Sequence, residues 1–413
     1  MSLIQSLLLL LLFSRVLGEI ASRFGQPSML GEIAAGIILG PSCLGYVHYT
    51  PAIKAIADIG VLLLVFLAGM EMELDALVDS FRGRKAWVSV AGFVVPLTGG
   101  IALGLMFGMD DMRMAFLGLC IAITALPVSV RILMDLGKLR SDIGQKIISA
   151  AVANDVVSLL ILGVILDLKN APANLQQFFL SIGASLGKAL IFMVVFAIAS
   201  RLIHRYSPTR LLKSSGPLER ILSSLKGDEV RFASILLFVI AFASFSEVLG
   251  LDFVVGAFFG SMLLSHEALG KDNFKKIEQT ASSVTMGFVG PVFFAAIGLE
   301  FNASSLRDWQ LVTSVLVISF VGKIFGGYIG GRLARLGHCE SWTLGMGLNG
   351  RGVMELVIAN IALSSGLIGP QLFTILVLMA VVTTFVTPVL LRIAFRYMER
   401  SNEVEHQIKE AEA

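Results

Sequence analysis

Apolar runs of about twenty residues recur from one end of this chain to the other, each long enough to cross a ~30 Å hydrocarbon core. They fall near residues 3–24, 28–45, 52–72, 85–108, 113–135, 142–167, 175–203, 230–249, 251–268, 281–299, 308–335, 341–365 and 371–397. In lipid a backbone can satisfy its own N–H and C=O groups only as a helix or a closed barrel, and runs of this length are helices. The pattern predicts an all-α polytopic membrane protein of about 13 transmembrane helices.

Composition narrows the function. Only 15% of the 413 residues are charged, against about 25% in soluble domains, and the net charge is +2. No basic surface suits nucleic acid. The three cysteines and five histidines have neither disulfide nor metal-ligand spacing. No cofactor and no enzymatic chemistry are expected, and the lipid bilayer is the obligatory partner. Residues 7–18 could pass for a signal peptide, but no basic residue precedes them and the apolar pattern continues to Phe24. They read as the first membrane helix.

Lysine and arginine gather in alternate loops. Arg82, Arg84 and Lys85 fall in one, and Lys138, Arg140 and Lys146 in the next. The polar stretch from Arg205 to Arg231, then Lys271 to Lys276, Arg332 with Arg335, and Arg396 with Arg400 continue the series. The positive-inside rule puts the N-terminus outside and the C-terminus in the cytoplasm, with 399–413 as a short cytoplasmic tail. A bacterial inner (plasma) membrane suits this pattern.

The chain also repeats itself weakly. Leu67-Ala68-Gly69-Met70-Glu71-Met72 resembles Ala296-Ile297-Gly298-Leu299-Glu300-Phe301, and Gly36 and Gly40 echo Gly256 and Gly260. Matching segments are seven helices apart, an odd number, so the copies face opposite ways. The expected organisation is repeat one over 1–168, a linker helix over 175–204 and repeat two over 229–398. Together they form one transmembrane domain over 1–398. Inverted repeats with sites at their interface are the plan of many secondary transporters.

Within this frame, Asp155 stands in the middle of the apolar stretch Ala150–Leu162, with no basic residue between Lys146 and Lys169. A carboxylate at membrane depth is by default part of an ion or proton path. Burial disfavours a charged carboxylate and a nearby cation favours it, so such a group can hold a proton or a metal ion in turn. A structural ion pair is the bland alternative. Asn154 is neutral and can hydrogen-bond either the ion or the neighbouring helix.

The segment before it holds Thr124 and Pro127. Pro127 lacks a donor and clashes with the carbonyl four residues back, which breaks the helix. The repeat-related segment carries Asn349-Gly350-Arg351-Gly352, which is also poor helix. Two broken helices at corresponding positions point to a transport site. Arg351 and Glu355, four apart, share a helix face and suit a local salt bridge, or less readily a gate. Lys323 is a second buried charge. It is expected to pair with Asp155 in the absence of a cation, or else to hold the repeats together. Glu32, Glu71 and Glu300 lie near segment ends and read as interfacial. Gly345 to Gly350 matches G-x-G-x-x-G but follows no strand, so no dinucleotide site is expected. Asn302-Ala303-Ser304 is a glycosylation sequon on the outer side.

The stretch Ile123–Leu133, then Ser141-Asp142-Ile143-Gly144, Ala150–Asp155 and Asn349–Leu356, resembles the cation:proton antiporter-2 family across essentially the whole chain. This family includes the plant and fungal cation/proton exchangers and the membrane domain of Kef-type efflux systems. The resemblance implies a sodium/proton antiporter fold with a mobile core domain and a dimerisation domain, hence a homodimer. It also implies an ion site of Asp155, Asn154, Thr124 and Lys323. Electrogenic members carry two adjacent aspartates where this chain has Asn154-Asp155. One titrating carboxylate suggests one proton per cation and electroneutral exchange. Kef-type systems add a nucleotide-binding domain, and here a separate regulatory subunit would have to supply it.

The expected function is therefore antiport of Na⁺ or K⁺ against H⁺, of the kind that serves pH homeostasis. Asp155 would hold cation and proton alternately. Pro127, Asn349, Gly350, Arg351 and Glu355 would shape and gate the broken helices. A sodium-coupled solute symporter, a cation channel and a transport-derived sensor remain open on the residues alone.

Overall fold

The computed structural model describes residues 2–72, 77, 80, 83–139, 141–168, 175–205 and 227–412. Arg82, Arg140, Lys169 and the polar stretch 206–226, on which the orientation argument leans, lie outside these described residues. Among the described residues every regular element is a helix. The first eight are α1 (Leu3–Arg23), α2 (Ser28–Leu39), α3 (Pro51–Met70), α4 (Lys85–Met106), α5 (Asp111–Ala122), α6 (Leu126–Asp135), α7 (Asp142–Leu168) and α8 (Leu175–Arg205). Then come α9 (Asp228–Val248), α10 (Phe253–Met262), α11 (Lys271–Val284) and α12 (Gly290–Glu300). The last are α13 (Trp309–Leu333), α14 (His338–Gly347), α15 (Val353–Ser364) and α16 (Pro370–Glu412). Nine helices of the described residues are long and apolar enough to cross a membrane, and α2, α10 and α15 are shorter apolar ones.

Element ends follow local chemistry. Thr50 caps α3 by accepting from the Ile53 amide, with Pro51 opening the helix. Asp110 and Asp308 cap α5 and α13 in the same way. Some ends differ from the apolar pattern. The segment expected to reach residue 45 stops at Leu39, because Gly40 turns extended and Pro41 follows. The segment expected over 281–299 belongs to one run from Lys271 to Glu300, with a π-helical turn at Thr285–Val289. The expected tail from residue 399 continues α16 as helix to Glu412.

Two compact units divide the chain, and each takes segments from both halves. One comprises Met1–Leu74 and Leu159–Phe301, the other Asp75–Ser158 and Asn302–Ala413.

In the first unit the glycines of the repeated motif are contact points. A Cβ on Gly298 would lie 2.2 Å from the Ile33 carbonyl oxygen, and one on Gly69 would lie 2.5 Å from the Phe258 carbonyl oxygen. The motif at the end of α12 thus packs on α2, and its counterpart at the end of α3 packs on α10. Small residues permit such backbone contact where no hydrophobic force drives helix association in lipid. Glu32, on the second turn of α2, is buried within the protein, with its Cγ beside Gly18 of α1. Glu71 is exposed at the end of α3 and Glu300 is half-buried at the end of α12.

In the second unit α13 carries two stripes of small residues. Gly322, Gly326 and Gly330 pack on Pro96, Ala91 and Val88 of α4, and Gly327 and Gly331 pack on Gly345 and Ser341 of α14. Lys323, between these stripes, is held at full burial. The sequon residue Asn302 caps a short 3₁₀ turn by accepting from the Ser304 amide.

A pair of interrupted helices that cross

Both expected helix breaks lie in the second unit. α5 ends at Ala122. Ile123 (φ −64°, ψ 145°) and Ala125 (φ −83°, ψ 116°) are extended, and α6 starts at Leu126. The break therefore precedes Pro127, which sits in the first turn of α6. There its missing N–H costs nothing, since first-turn donors have no helical partner. The carbonyl that Pro127 cannot serve is four residues back, at Ile123, where the chain leaves the helix. The second break spans 348–352, between α14 and α15. The two interruptions meet: the Ala125 amide donates to the Gly350 carbonyl at 2.8 Å. The Thr124 hydroxyl lies 3.3 Å from the Leu348 carbonyl oxygen.

A helix that stops at mid-membrane leaves its last carbonyls without partners and its C-terminal end partly negative. Two buried cations meet that need. The Arg351 guanidinium donates to the Cys120 carbonyl and, at 2.8 Å, to the Ile121 carbonyl. The Lys323 ammonium donates to the Ala122 carbonyl, to Thr124 Oγ1 at 2.6 Å and to the Gly92 carbonyl at 3.3 Å. Gly92 has a carbonyl to offer because Pro96, inside α4, has no N–H for it. Three acceptors thus satisfy the three donors of an ammonium group. Lys323 does not sit in an ion pair with Asp155; its hydrogen bonds go to the crossing instead.

Asn154 joins the same network. With its amide oriented by its partners, its oxygen accepts from the Thr124 hydroxyl at 3.2 Å, and its nitrogen donates to the Ser89 and Ala150 carbonyls at 3.3 Å each. It braces the break, the second of the two roles open to it on sequence. Arg351 and Glu355 form the expected local pair at 3.3 Å, both fully buried. Neither Glu355 oxygen accepts a hydrogen bond.

Asp155 is buried on α7 and faces the Leu126 amide, which opens α6. A carboxylate is favoured at a helix N-terminus. Its Oδ1 has no partner. The break thus presents two ends. The negative end of α5 is neutralised by fixed protein cations, while the positive end of α6 faces a carboxylate with one oxygen uncommitted. Such a group can take up a proton or a hard monovalent cation.

Two contributors escaped the sequence reading. The Gly92 carbonyl is signalled by a proline four residues later inside an apolar run. Ser129, one turn past Leu126, is buried with its hydroxyl unpartnered. A lone serine in an apolar helix gives little signal by itself.

Comparison with known proteins places this geometry. Residues 8–396 match the family described as sodium/hydrogen exchanger, transmembrane. The chain is 31% identical over 389 residues to the Na⁺/H⁺-K⁺ antiporter GerN of Bacillus cereus, covering 94% of this chain and 95% of that protein. It is 27% identical to a Na⁺/H⁺ antiporter of Enterococcus hirae, covering 95% of this chain and 98% of that one. The fold is similar to that of the sodium proton antiporter MjNhaP1 from Methanocaldococcus jannaschii. That match has a TM-score of 0.71 at 15% identity and covers 96% of this chain and 97% of the other. With interrupted helices crossing beside a buried aspartate, and a match over nearly its whole length, this chain belongs to the sodium/hydrogen exchanger family.

Proposed function

We propose that this protein is a secondary antiporter that exchanges a monovalent cation, Na⁺ or K⁺, for H⁺ across a membrane, with Asp155 as the carrier of both. The observation that carries this reading is a buried carboxylate set against the start of α6, whose Oδ1 has no partner. A proton or a cation supplies what that oxygen lacks, and the two compete for one site. The relatives support these substrates: GerN is a Na⁺/H⁺-K⁺ antiporter, and the Enterococcus protein is a Na⁺/H⁺ antiporter.

The proposed stoichiometry rests on Lys323 keeping its charge. As an ammonium it donates to all three oxygens around it, the Ala122 and Gly92 carbonyls and Thr124 Oγ1. In this scheme Lys323 stays charged through the cycle, and its task is to cap α5. Asp155 is left as the exchanging group, one proton replaces one monovalent cation, and the cycle moves no net charge. The transported ions are the only small molecules this scheme needs. Alternating exposure of Asp155 to the two sides, a homodimer, and a bacterial inner membrane with the C-terminus in the cytoplasm complete the proposal.

Reconstituted protein tests this directly. A Na⁺ or K⁺ gradient should drive lumenal pH change, and Asp155→Asn should reduce it to background leak. Exchange by Asp155→Asn at the parental rate would remove the carrier assignment. An imposed potential should leave the parental rate unchanged. Each net charge moved would be worth ~2.3 kcal/mol per 100 mV, so a strong voltage response would exclude 1:1 exchange.

A further inference from the structure

Asp155 supplies the charge at the site, but selectivity among alkali cations also depends on the number, field strength and spacing of the other oxygens that replace the ion's water. Among the described residues of the second unit, four buried side-chain oxygens outside the Arg351–Glu355 pair have no hydrogen-bond partner: Asp155 Oδ1, Ser129 Oγ, Ser158 Oγ and Asn349 Oδ1. Uncompensated burial of such groups is costly, and an ion would relieve it.

Three of the four lie around the start of α6 and the second interruption. Asp155 faces Leu126, which opens α6. Ser129 lies on the same helix face, three residues on. Its Oγ touches the second interruption, since a Cβ built on Gly350 would sit 3.0 Å from it. Asn349 is the residue before Gly350. Its amide nitrogen reaches back toward the Gly345 carbonyl at 3.4 Å, which leaves Oδ1 as the uncommitted end. Ser158 differs. It lies on α7 one turn past Asp155, about 4.5 Å along that helix, and belongs to neither interruption.

We propose that the Ser129 hydroxyl and the Asn349 side-chain carbonyl complete the cation site at Asp155 and set its preference among Li⁺, Na⁺ and K⁺. This rests on the carrier role of Asp155 argued above. The second interrupted helix then serves as more than a brace, because it delivers one ligand and positions another. Loss of a neutral oxygen weakens the hold on a small, strongly hydrated ion more than on K⁺, because the small ion needs more protein oxygens to replace its water.

The full-length protein in detergent and in liposomes provides the test, with cation-induced thermal stabilisation and exchange rates measured across LiCl, NaCl and KCl. Ser129→Ala should weaken apparent Na⁺ and Li⁺ affinity roughly tenfold, about the worth of one lost polar contact, while K⁺ changes less. Ser129→Thr keeps the hydroxyl and should restore much of the preference. Gly350→Ala, whose methyl would crowd the Ser129 hydroxyl without removing it, should move the preference in the same direction. Ser158→Ala should leave it in place. An unchanged Na⁺-to-K⁺ ratio in both Ser129→Ala and Gly350→Ala, with exchange retained, would overturn the proposal while the antiport reading stands. So would an equal shift in Ser158→Ala. Persistence of exchange in Asp155→Asn is the separate outcome that would defeat the reading beneath it.

Discussion

Lys323→Met should destabilise the folded protein strongly without changing the stoichiometry of whatever exchange survives. Methionine has nearly the length and volume of lysine, so the change leaves little cavity. What it removes is the ammonium that serves the Ala122 and Gly92 carbonyls and Thr124 Oγ1. Each buried acceptor left bare costs about 1–3 kcal/mol, and the C-terminal end of α5 loses one of its two compensating cations. A total of about 3–5 kcal/mol is typical for removing one side of a buried charged contact. The melting temperature in detergent should fall by many degrees. Lys323→Arg should recover only part of this, because a planar fork does not match three acceptors disposed around a point charge. The alternative role, a lysine that carries a proton during transport, gives a different result. In that case Lys323→Met would leave the melting temperature near the parental value and change the protons moved per cation.

The second large effect is expected in the first unit, at Gly298→Ala. A Cβ there would lie 2.2 Å from the Ile33 carbonyl oxygen and 2.8 Å from the Gly36 Cα. Both are backbone atoms, so no side chain can turn aside, and α2 and α12 would have to separate. Overpacking of this kind costs about 1–3 kcal/mol where side chains can adjust, and more where backbones meet. Gly36→Ala, 1.9 Å from the Ala295 carbonyl oxygen, should be at least as damaging. Gly187→Ala on α8 is the control, since nothing lies within 4 Å of its Cβ position. It should be neutral or stabilising by up to about 1 kcal/mol from helix propensity. Thermal unfolding of the purified variants decides the matter. Comparable stability of Gly298→Ala and Gly187→Ala would mean that the α2–α12 contact is not tight in the folded protein.

These two sites show where sequence and structure part. Gly298 could be singled out from the chain alone because it recurs in a motif that also contains Gly69. Its partner could not, because the atom it touches is a backbone carbonyl that every residue possesses. Lys323 was legible as a buried charge for the same reason that Asp155 was, since a long apolar run makes any ionisable residue conspicuous. Asp155 as its partner was the natural expectation from charge alone. The structure replaces that pairing with carbonyls made available by a helix end and by Pro96. Pro127 shows the same division. Its missing donor marks the carbonyl of Ile123 as the place where the helix must fail, yet the proline itself sits inside the next helix.

What the amino-acid order determined by itself was the solvent, the helical class, the two interruptions and the carboxylate at the centre of an apolar run. Each of these follows from hydrophobicity, a missing backbone donor or the poor helix propensity of glycine, which are properties of single residues and short runs. What only the tertiary structure decided was which backbone oxygens are left over where the helices cross, and therefore where the cations go. Because Lys323 and Arg351 are held by the end of α5, Asp155 keeps one oxygen uncommitted, and the exchange chemistry depends on that remainder.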